Sequence, residues 1–185
     1  MDNEERAKKI KMILMDVDGT LTDGTLLVLP DGEELKSYNV RDGMGILMAR
    51  LVGFKSGIIT GKTSRSLAKR AERLKIAELH QGILNKMQAL EEILKKHDLN
   101  PEQIAYIGDD LGDLDVMKAV GFAGAVADAH PEVKKHCHFL SSLPGGKGAV
   151  REFIEFIISA QNKWRDIEEQ VKNLKSDPKD VSRLT

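Results

Sequence analysis

The chain of 185 residues has a single cysteine, Cys137, which excludes an internal disulfide and a thiolate metal cluster. A lone thiol of this kind reads as structural, a small apolar side chain. Excess charge is missing too: 28 basic residues stand against 29 acidic ones, so the composition carries no electrostatic footprint of a nucleic-acid or anionic-membrane binder. An anionic ligand must then be held by a few placed groups. Nowhere do about 18 apolar residues run together, and the opening "MDNEERAKKIK" lacks the apolar core of a signal peptide. The sequence therefore predicts a cytoplasmic protein with neither a membrane nor a nucleic acid as partner. Internal repeats and low-complexity segments are absent as well.

What is present is a rhythm. The length and the 41% hydrophobic content fit one domain with a sizeable core. Short apolar runs, "MILM", "SGIIT", "IAYIG" and "FAGAVA", alternate with amphipathic stretches that read as helices over 43–52, 63–75, 86–97, 112–119 and 148–160. That alternation predicts the α/β class: a Rossmann-like parallel sheet with helices on both faces. One segment breaks it. "TLLVLPDGEELKSYNV" holds two strand-like runs around a Pro-Asp-Gly turn and reads as a β-hairpin, residues 25–40, inserted after strand one. Residues 1–160 form the expected domain, and 161–185 a charged helix and polar tail with Trp164 docked on the body.

In an open parallel sheet ligands bind at the carboxyl ends of the strands. Asp16 and Asp18 follow the first apolar run, Thr60 and Gly61 the second, and Asp109, Asp110 and Asp113 follow "IAYIG", while Lys86 opens the helix after "HQGILN". All four groups fall on one edge. So many carboxylates beside one hydroxyl and one lysine are too negative to stand bare, and hard oxygen ligands with no histidine or cysteine among them favour Mg2+. A cation and a lysine together also suit a phosphoryl group. Transfer to a carboxylate needs an ionised nucleophile and, nearby, a second acid for the departing oxygen. Asp16 and Asp18, two residues apart at a strand end, supply both. Thr60 and the backbone N–H groups around Gly19 are placed to hold phosphoryl oxygens, and Lys86 to offset developing charge. Each motif alone also has an ordinary reading, as an Asp-Gly turn, a solvated lysine or a helix cap with acidic first-turn residues. Their order, each at a strand end, carries the case.

These residues, DVDGT (16–20), Thr60, Lys86 and GDDLGD (108–113), resemble the four motifs of phosphatases of the haloacid dehalogenase superfamily, over residues 12 to about 155. The resemblance implies an aspartyl phosphate on Asp16 and an acid/base at Asp18, whose backbone carbonyl also binds magnesium. It implies Asp109 as a carboxylate metal ligand and Asp113 as the holder of the metal's water or of the lysine; it gives Asp110 no settled role. True dehalogenases lack the second aspartate of the first motif, so Asp18 argues for phosphate chemistry. The stretches between motifs leave no room for a cap domain, and an open site calls for a macromolecular substrate or for cover by another subunit.

"DGTLLVLPDGEELKSYNVRDGMGI", "QGILNK", "AYIGDDLGDLDVMKAVG", "AVADAHPEV" and "GGKGAVREF" are similar to the capless 3-deoxy-D-manno-octulosonate 8-phosphate phosphatases. That likeness implies a homotetramer with shared active sites, its hairpins forming a central barrel, and a basic residue of the glycine-rich segment reaching a site. Here that residue is Lys147, where arginine is usual, which keeps the charge but not the bidentate geometry. A neighbouring subunit's Lys147 is expected to close each site. The implied substrate is a small-molecule sugar phosphate, a 2-keto-3-deoxy sugar acid ester of lipopolysaccharide biosynthesis, contacted by Gly19, Gly61, Lys62, Arg70 and Lys147. Lys62 and Arg70 fit the eight-carbon acid, whereas Arg73 stands where the nine-carbon family carries a basic residue, so both sugars stay open. The third reading, a noncatalytic oligomerisation module, would be expected to lose Asp16, Asp18 or Lys86, and all three are present.

Overall fold

The computed structural model describes residues 1–174. Helix α1 (Asn3–Lys8) precedes β1 (Met12–Met15), whose four residues are all buried. The hairpin strands β2 (Leu27–Val28) and β3 (Glu34–Leu35) follow, then α2 (Val40–Leu51), β4 (Lys55–Thr60), α3 (Arg65–Leu74), β5 (Glu78–Gln81) and α4 (Lys86–His97). The second half runs β6 (Ile104–Gly108), α5 (Leu114–Ala119), β7 (Phe122–Ala125), α6 (Pro131–Lys134), β8 (Phe139–Leu140), α7 (Ala149–Ala160) and α8 (Trp164–Leu174).

Among the described residues the main sheet has six strands, all parallel, in the order β5-β4-β1-β6-β7-β8. From β1 the chain steps outward to β4 and β5, then returns past β1 to β6 and continues the other way. Strand order thus reverses between β1 and β6, and the crevice where such sheets bind ligands opens at the carboxyl ends of these two strands. β1 pairs in parallel on both sides, Met12 opposite Lys55 and also opposite Ile104. That double burial explains why "MILM" is apolar without alternation.

The helices start where side chains satisfy free N–H groups. α2 begins at Val40, earlier than its apolar spacing predicts, because the Asn39 carboxamide accepts from the Arg41 N–H at 2.8 Å. Gly45 inside it is a spacing device: a Cβ there would stand 2.9 Å from the Arg151 Cα of α7. The helix expected over 112–119 opens as a 3₁₀ turn, Leu111–Asp113, before α5. α1, α6 and β8 are too short to show an apolar period, and the sequence does not announce them.

β2 and β3 pair antiparallel, Leu27 opposite Leu35 and Val28 opposite Glu34, closed by a Leu29 N–H bond to Glu33 O of 2.9 Å. Leu26, Leu27, Val28, Leu29 and Leu35 are all exposed, Val28 at 63%.

At the other end α8 packs on the same body. Trp164 rests at the edge of the body, 38% exposed, with its indole N–H donating to Ser159 Oγ of α7 at 2.7 Å. Ile167, one helical turn on, is the buried anchor. The Gln161 carboxamide ties this end to the first helix by donating to Ala7 O and Ile10 O at 3.0 and 2.9 Å. The polar tail from Ser176 lies outside the described residues. Among those described, no helix is long and apolar enough to cross a membrane.

Candidate active site

The ladder between β1 and β6 extends one residue past β1, with the Asp16 N–H donating to Ile107 O at 3.0 Å. The Asp16 side chain is thereby delivered, nearly buried, to the end of the neighbouring strand. From β6, Asp109 and Asp113 converge on it: one carboxylate oxygen from each of the three aspartates lies within 4.8 Å of the others.

Lys86, first residue of α4, closes this group. Its Nζ donates to Asp16 Oδ1 at 2.5 Å, to Asp113 Oδ1 at 2.7 Å and to the Tyr106 hydroxyl at 3.2 Å. The Tyr106 hydroxyl in turn donates to Asp113 Oδ1 at 2.5 Å. Asp113 Oδ2 accepts from the backbone N–H groups of Asp109 and Asp110 at 3.0 and 3.2 Å. With its oxygens so engaged, Asp113 orients Lys86 and the loop after β6. Asp110 caps that loop, accepting from the Leu111 N–H at 2.8 Å. Thr20 Oγ1 donates to Asp109 Oδ1 at 2.8 Å. Gly19, at φ +92°, lets its loop pass so close to Asp109 that any Cβ would collide with the carboxylate.

Burial and mutual repulsion strain the charges. Burial first, then the Asp113 charge, pushes the Asp16 carboxyl up to about 6, against the pull of Lys86. Asp109 is pushed up to about 7 by burial and by Asp16, Asp113 and Asp110, with the Thr20 hydrogen bond opposing. For Lys86 burial works against the ammonium, but Asp16 and Asp113 outweigh it and hold its pKa above the usual amine value. Burial and the nearby carboxylates raise Tyr106 well above its ordinary range, so it stays a phenol. Three carboxylates facing one ammonium leave a buried negative excess. Hard oxygens in that arrangement fit a divalent cation such as Mg2+.

Asp18 stands at the rim, its carboxylate partly exposed and ion-paired with Lys36, the residue after β3. Thr60 is buried at the end of β4 and its Oγ1 accepts from the Lys62 N–H at 3.4 Å. Gly61, next in the chain, is exposed. Beyond it a cleft of about 620 Å³ opens between the hairpin turn and the start of α3, lined by residues 31–34 and 62–65. Lys62 spans this cleft to Glu34 at 3.3 Å.

Two expected substrate contacts lie elsewhere. The Arg70 guanidinium packs against Gly43 in the seam between α2 and α3, near Tyr38 and Arg73. Lys147 pairs with Asp23 of its own chain at 3.4 Å. Its glycine neighbours lie on the same loop: the Gly146 N–H donates to Thr20 O at 2.9 Å, and a Cβ on Gly145 would strike Gly19 O. These contacts seat the glycines of the segment on the Thr20 loop of their own chain and leave the Lys147 side chain largely exposed. Asn39 reinforces the seating by donating to Gly146 O at 3.0 Å.

Sequence reasoning passes over Lys36 and Tyr106. Tyr106 hides in the apolar run "IAYIG", where it reads as strand filler. Lys36 reads as an edge charge, although the alternation of "LKSY" puts it on the face opposite Leu35.

A family model described as haloacid dehalogenase-like hydrolase matches residues 70–154, a span holding Lys86 and Asp109 to Asp113. A 3-deoxy-D-manno-octulosonate 8-phosphate phosphatase of Yersinia pestis is 45% identical over 159 residues, covering 86% of this chain and 85% of that one. That of Escherichia coli K12 is 42% identical over 158 residues, covering 85% and 84%. Among solved structures, the Moraxella catarrhalis enzyme in complex with magnesium, phosphate and 3-deoxy-D-manno-octulosonate superposes with a TM-score of 0.88 at 36% identity, covering 91% of this chain and 97% of that one. A cobalt-bound form from Haemophilus influenzae gives 0.83 at 40% identity, covering 85% and 92%.

Proposed function

The chain belongs to the 3-deoxy-D-manno-octulosonate 8-phosphate phosphatases of the haloacid dehalogenase-like hydrolases, and from that premise we infer how its residues share the work. It is a magnesium-dependent phosphoric monoester hydrolase that releases 3-deoxy-D-manno-octulosonate and inorganic phosphate. The observation that carries the mechanism is the buried group of Asp16, Asp109, Asp113 and Lys86 at the point where strand order reverses.

Asp16, Asp109 and the backbone carbonyl of Asp18 would hold the ion, with Asp113 behind them. Bound there, Mg2+ neutralises the carboxylate excess and the charge of a phosphoryl group. A carboxylate oxygen of Asp16 attacks phosphorus; the bond from phosphorus to the sugar oxygen breaks, and that oxygen takes the proton carried by Asp18. In the second half, water gives a proton to the Asp18 carboxylate as its oxygen attacks the aspartyl phosphate. The bond from phosphorus to Asp16 breaks, phosphate leaves, and both aspartates return to their starting states. Lys86, held by Asp113 and Tyr106, faces the Asp16 oxygen and the charge that develops on the phosphoryl group. Thr60 and the N–H groups around Gly19 take phosphoryl oxygens. Gly61 and Lys62 line the way to the cleft where the sugar acid sits.

The exposed leucines of the hairpin support a homotetramer built through residues 25–40, since a bare apolar edge pairs with copies of itself. Each hairpin then also covers part of a neighbour's site. Lys147, its side chain 57% exposed beside Asp23, is free to swing toward a neighbouring subunit's site and close it within such an assembly. Arg70, in the seam between α2 and α3, is the proposed further contact to the sugar acid. A cytoplasmic enzyme supplying lipopolysaccharide synthesis accords with this reading.

Phosphate release measured over a panel of sugar phosphates tests the proposal. Expected is Mg2+-dependent turnover greatest on the eight-carbon ester and abolished in Asp16→Asn. Preference for the nine-carbon 9-phosphate would replace the substrate, and activity persisting in EDTA would overturn the mechanism.

A further inference from the structure

We infer that Lys36 is a positioning residue for the reaction: from the hairpin, it holds the Asp18 carboxylate in place at the mouth of the site. The inference rests on Asp18 being the acid and base. Lys36 follows β3 directly, on a segment whose other face is open, with Leu35 41% exposed and Ser37 exposed as well. The Lys36 side chain is only 2% exposed, and its ammonium ends on Asp18 Oδ1. Burying an ammonium is costly without a partner of opposite charge, so this stem is folded inward for the carboxylate it meets.

Asp18 needs such a hold more than its neighbours do. Asp16 is fixed by Lys86 and Asp113 by a lysine, a phenol and two backbone N–H groups. Asp18 sits on a turn, its side chain 26% exposed, and among the described residues Lys36 is the one side chain bonded to its carboxylate. An acid must stand within hydrogen-bond reach of the leaving oxygen. A misplacement of about 1 Å costs on the order of 100-fold in rate. Tyr38, on the same inner face as Lys36, lies near enough to Asp18 for the aspartate's charge to help raise its phenol to about 12, after burial. The segment from Leu35 to Tyr38 therefore turns Lys36 and Tyr38 toward the body and Leu35 and Ser37 outward.

A plain pin between hairpin and body is the competing account, and the two separate in kinetics. In the full-length protein, Lys36→Met keeps the stem and removes the charge; Lys36→Arg keeps the charge. Steady-state kinetics on 3-deoxy-D-manno-octulosonate 8-phosphate and on p-nitrophenyl phosphate are compared, with Asp18→Asn alongside. Expected for Lys36→Met is a kcat about 10- to 100-fold lower on the sugar phosphate with KM nearly unchanged. The loss on p-nitrophenyl phosphate, whose phenolate departs without a proton, is smaller, and Lys36→Arg restores most of the rate. Lys36→Gln gives the same comparison should the methionine variant fail to fold. A raised KM with kcat intact would make Lys36 a substrate ligand and overturn the inference. So would equal losses on both esters, unrescued by arginine and tracking a lowered melting temperature. Full activity of Lys36→Met beside a crippled Asp18→Asn overturns this inference alone. Full activity of Asp18→Asn overturns the acid/base reading beneath it.

Discussion

Magnesium binding to this site should weaken sharply in mild acid. Asp16 and Asp109 titrate at about 6 and about 7 in the ion-free protein, because burial and crowding disfavour their charges, and each must be ionised to hold the cation. At pH 8 both are largely ionised; at pH 5.5 both are largely protonated. Competition from two protons at these values weakens the apparent affinity on the order of 100-fold over that interval, about 2.8 kcal/mol. The stability of the ion-free protein moves the opposite way. Both carboxyls are raised from 3.8, so between that value and about 7 the folded state binds more protons than the unfolded one. Stability from these groups is therefore lost as pH rises through the window. Isothermal titration with MgCl2 at pH 8 and 5.5 reads the affinity, and thermal melts with and without the ion read the linkage. The melting temperature should gain more from Mg2+ at pH 8 than at pH 5.5. An affinity independent of pH would show that Asp16 and Asp109 do not hold the ion, whatever the activity does.

Three other outcomes follow from the geometry. Tyr106→Phe deletes a hydroxyl that bridges Lys86 and Asp113, so it should cost about 1–3 kcal/mol in denaturant unfolding and lower kcat; an unchanged kcat would remove Tyr106 from the lysine's support. Gly19→Ala forces a Cβ into the Asp109 carboxylate at a positive φ, so calorimetry should show Mg2+ binding lost in a protein whose circular dichroism stays native. Val28→Asp places a charge on the exposed apolar face of the hairpin and should reduce the light-scattering mass to that of a 20.5 kDa chain; a persisting tetramer would exclude the hairpin as its interface.

Much of this arrangement is legible in the sequence because its signals are local. β1 and β6 stand out as unbroken apolar runs, and Asp16, Asp109 and Lys86 each sit where a run or a turn ends, which the sheet order turns into proximity. What stays hidden depends on contacts across the chain. Tyr106 is indistinguishable from core by pattern, yet its hydroxyl works between Lys86 and Asp113. Lys36 acquires meaning only once the hairpin folds over the Asp18 turn. Spacing is likewise silent on the glycine-rich segment, whose Gly145 and Gly146 seat tightly on the loop of Thr20. Trp164 stands out by size, whereas the buried Ile167 is placed by helical phase.

The central position of β1 bears on how the enzyme comes into being. β1 precedes both of its ladder partners along the chain, and the ladders on either side wait for Lys55–Ile58 and then for Ile104–Ile107. Contacts so distant along the chain are slow to close. Asp16 has no β6 carbonyl to bond, and no Asp109 or Asp113 beside it, until the chain has been made past Asp113. The glycine segment that seats the Thr20 loop arrives later still. A nascent chain therefore carries Asp16, the proposed nucleophile, apart from its partners, and ion capture and reactivity should appear together only once β6 and its loop have docked.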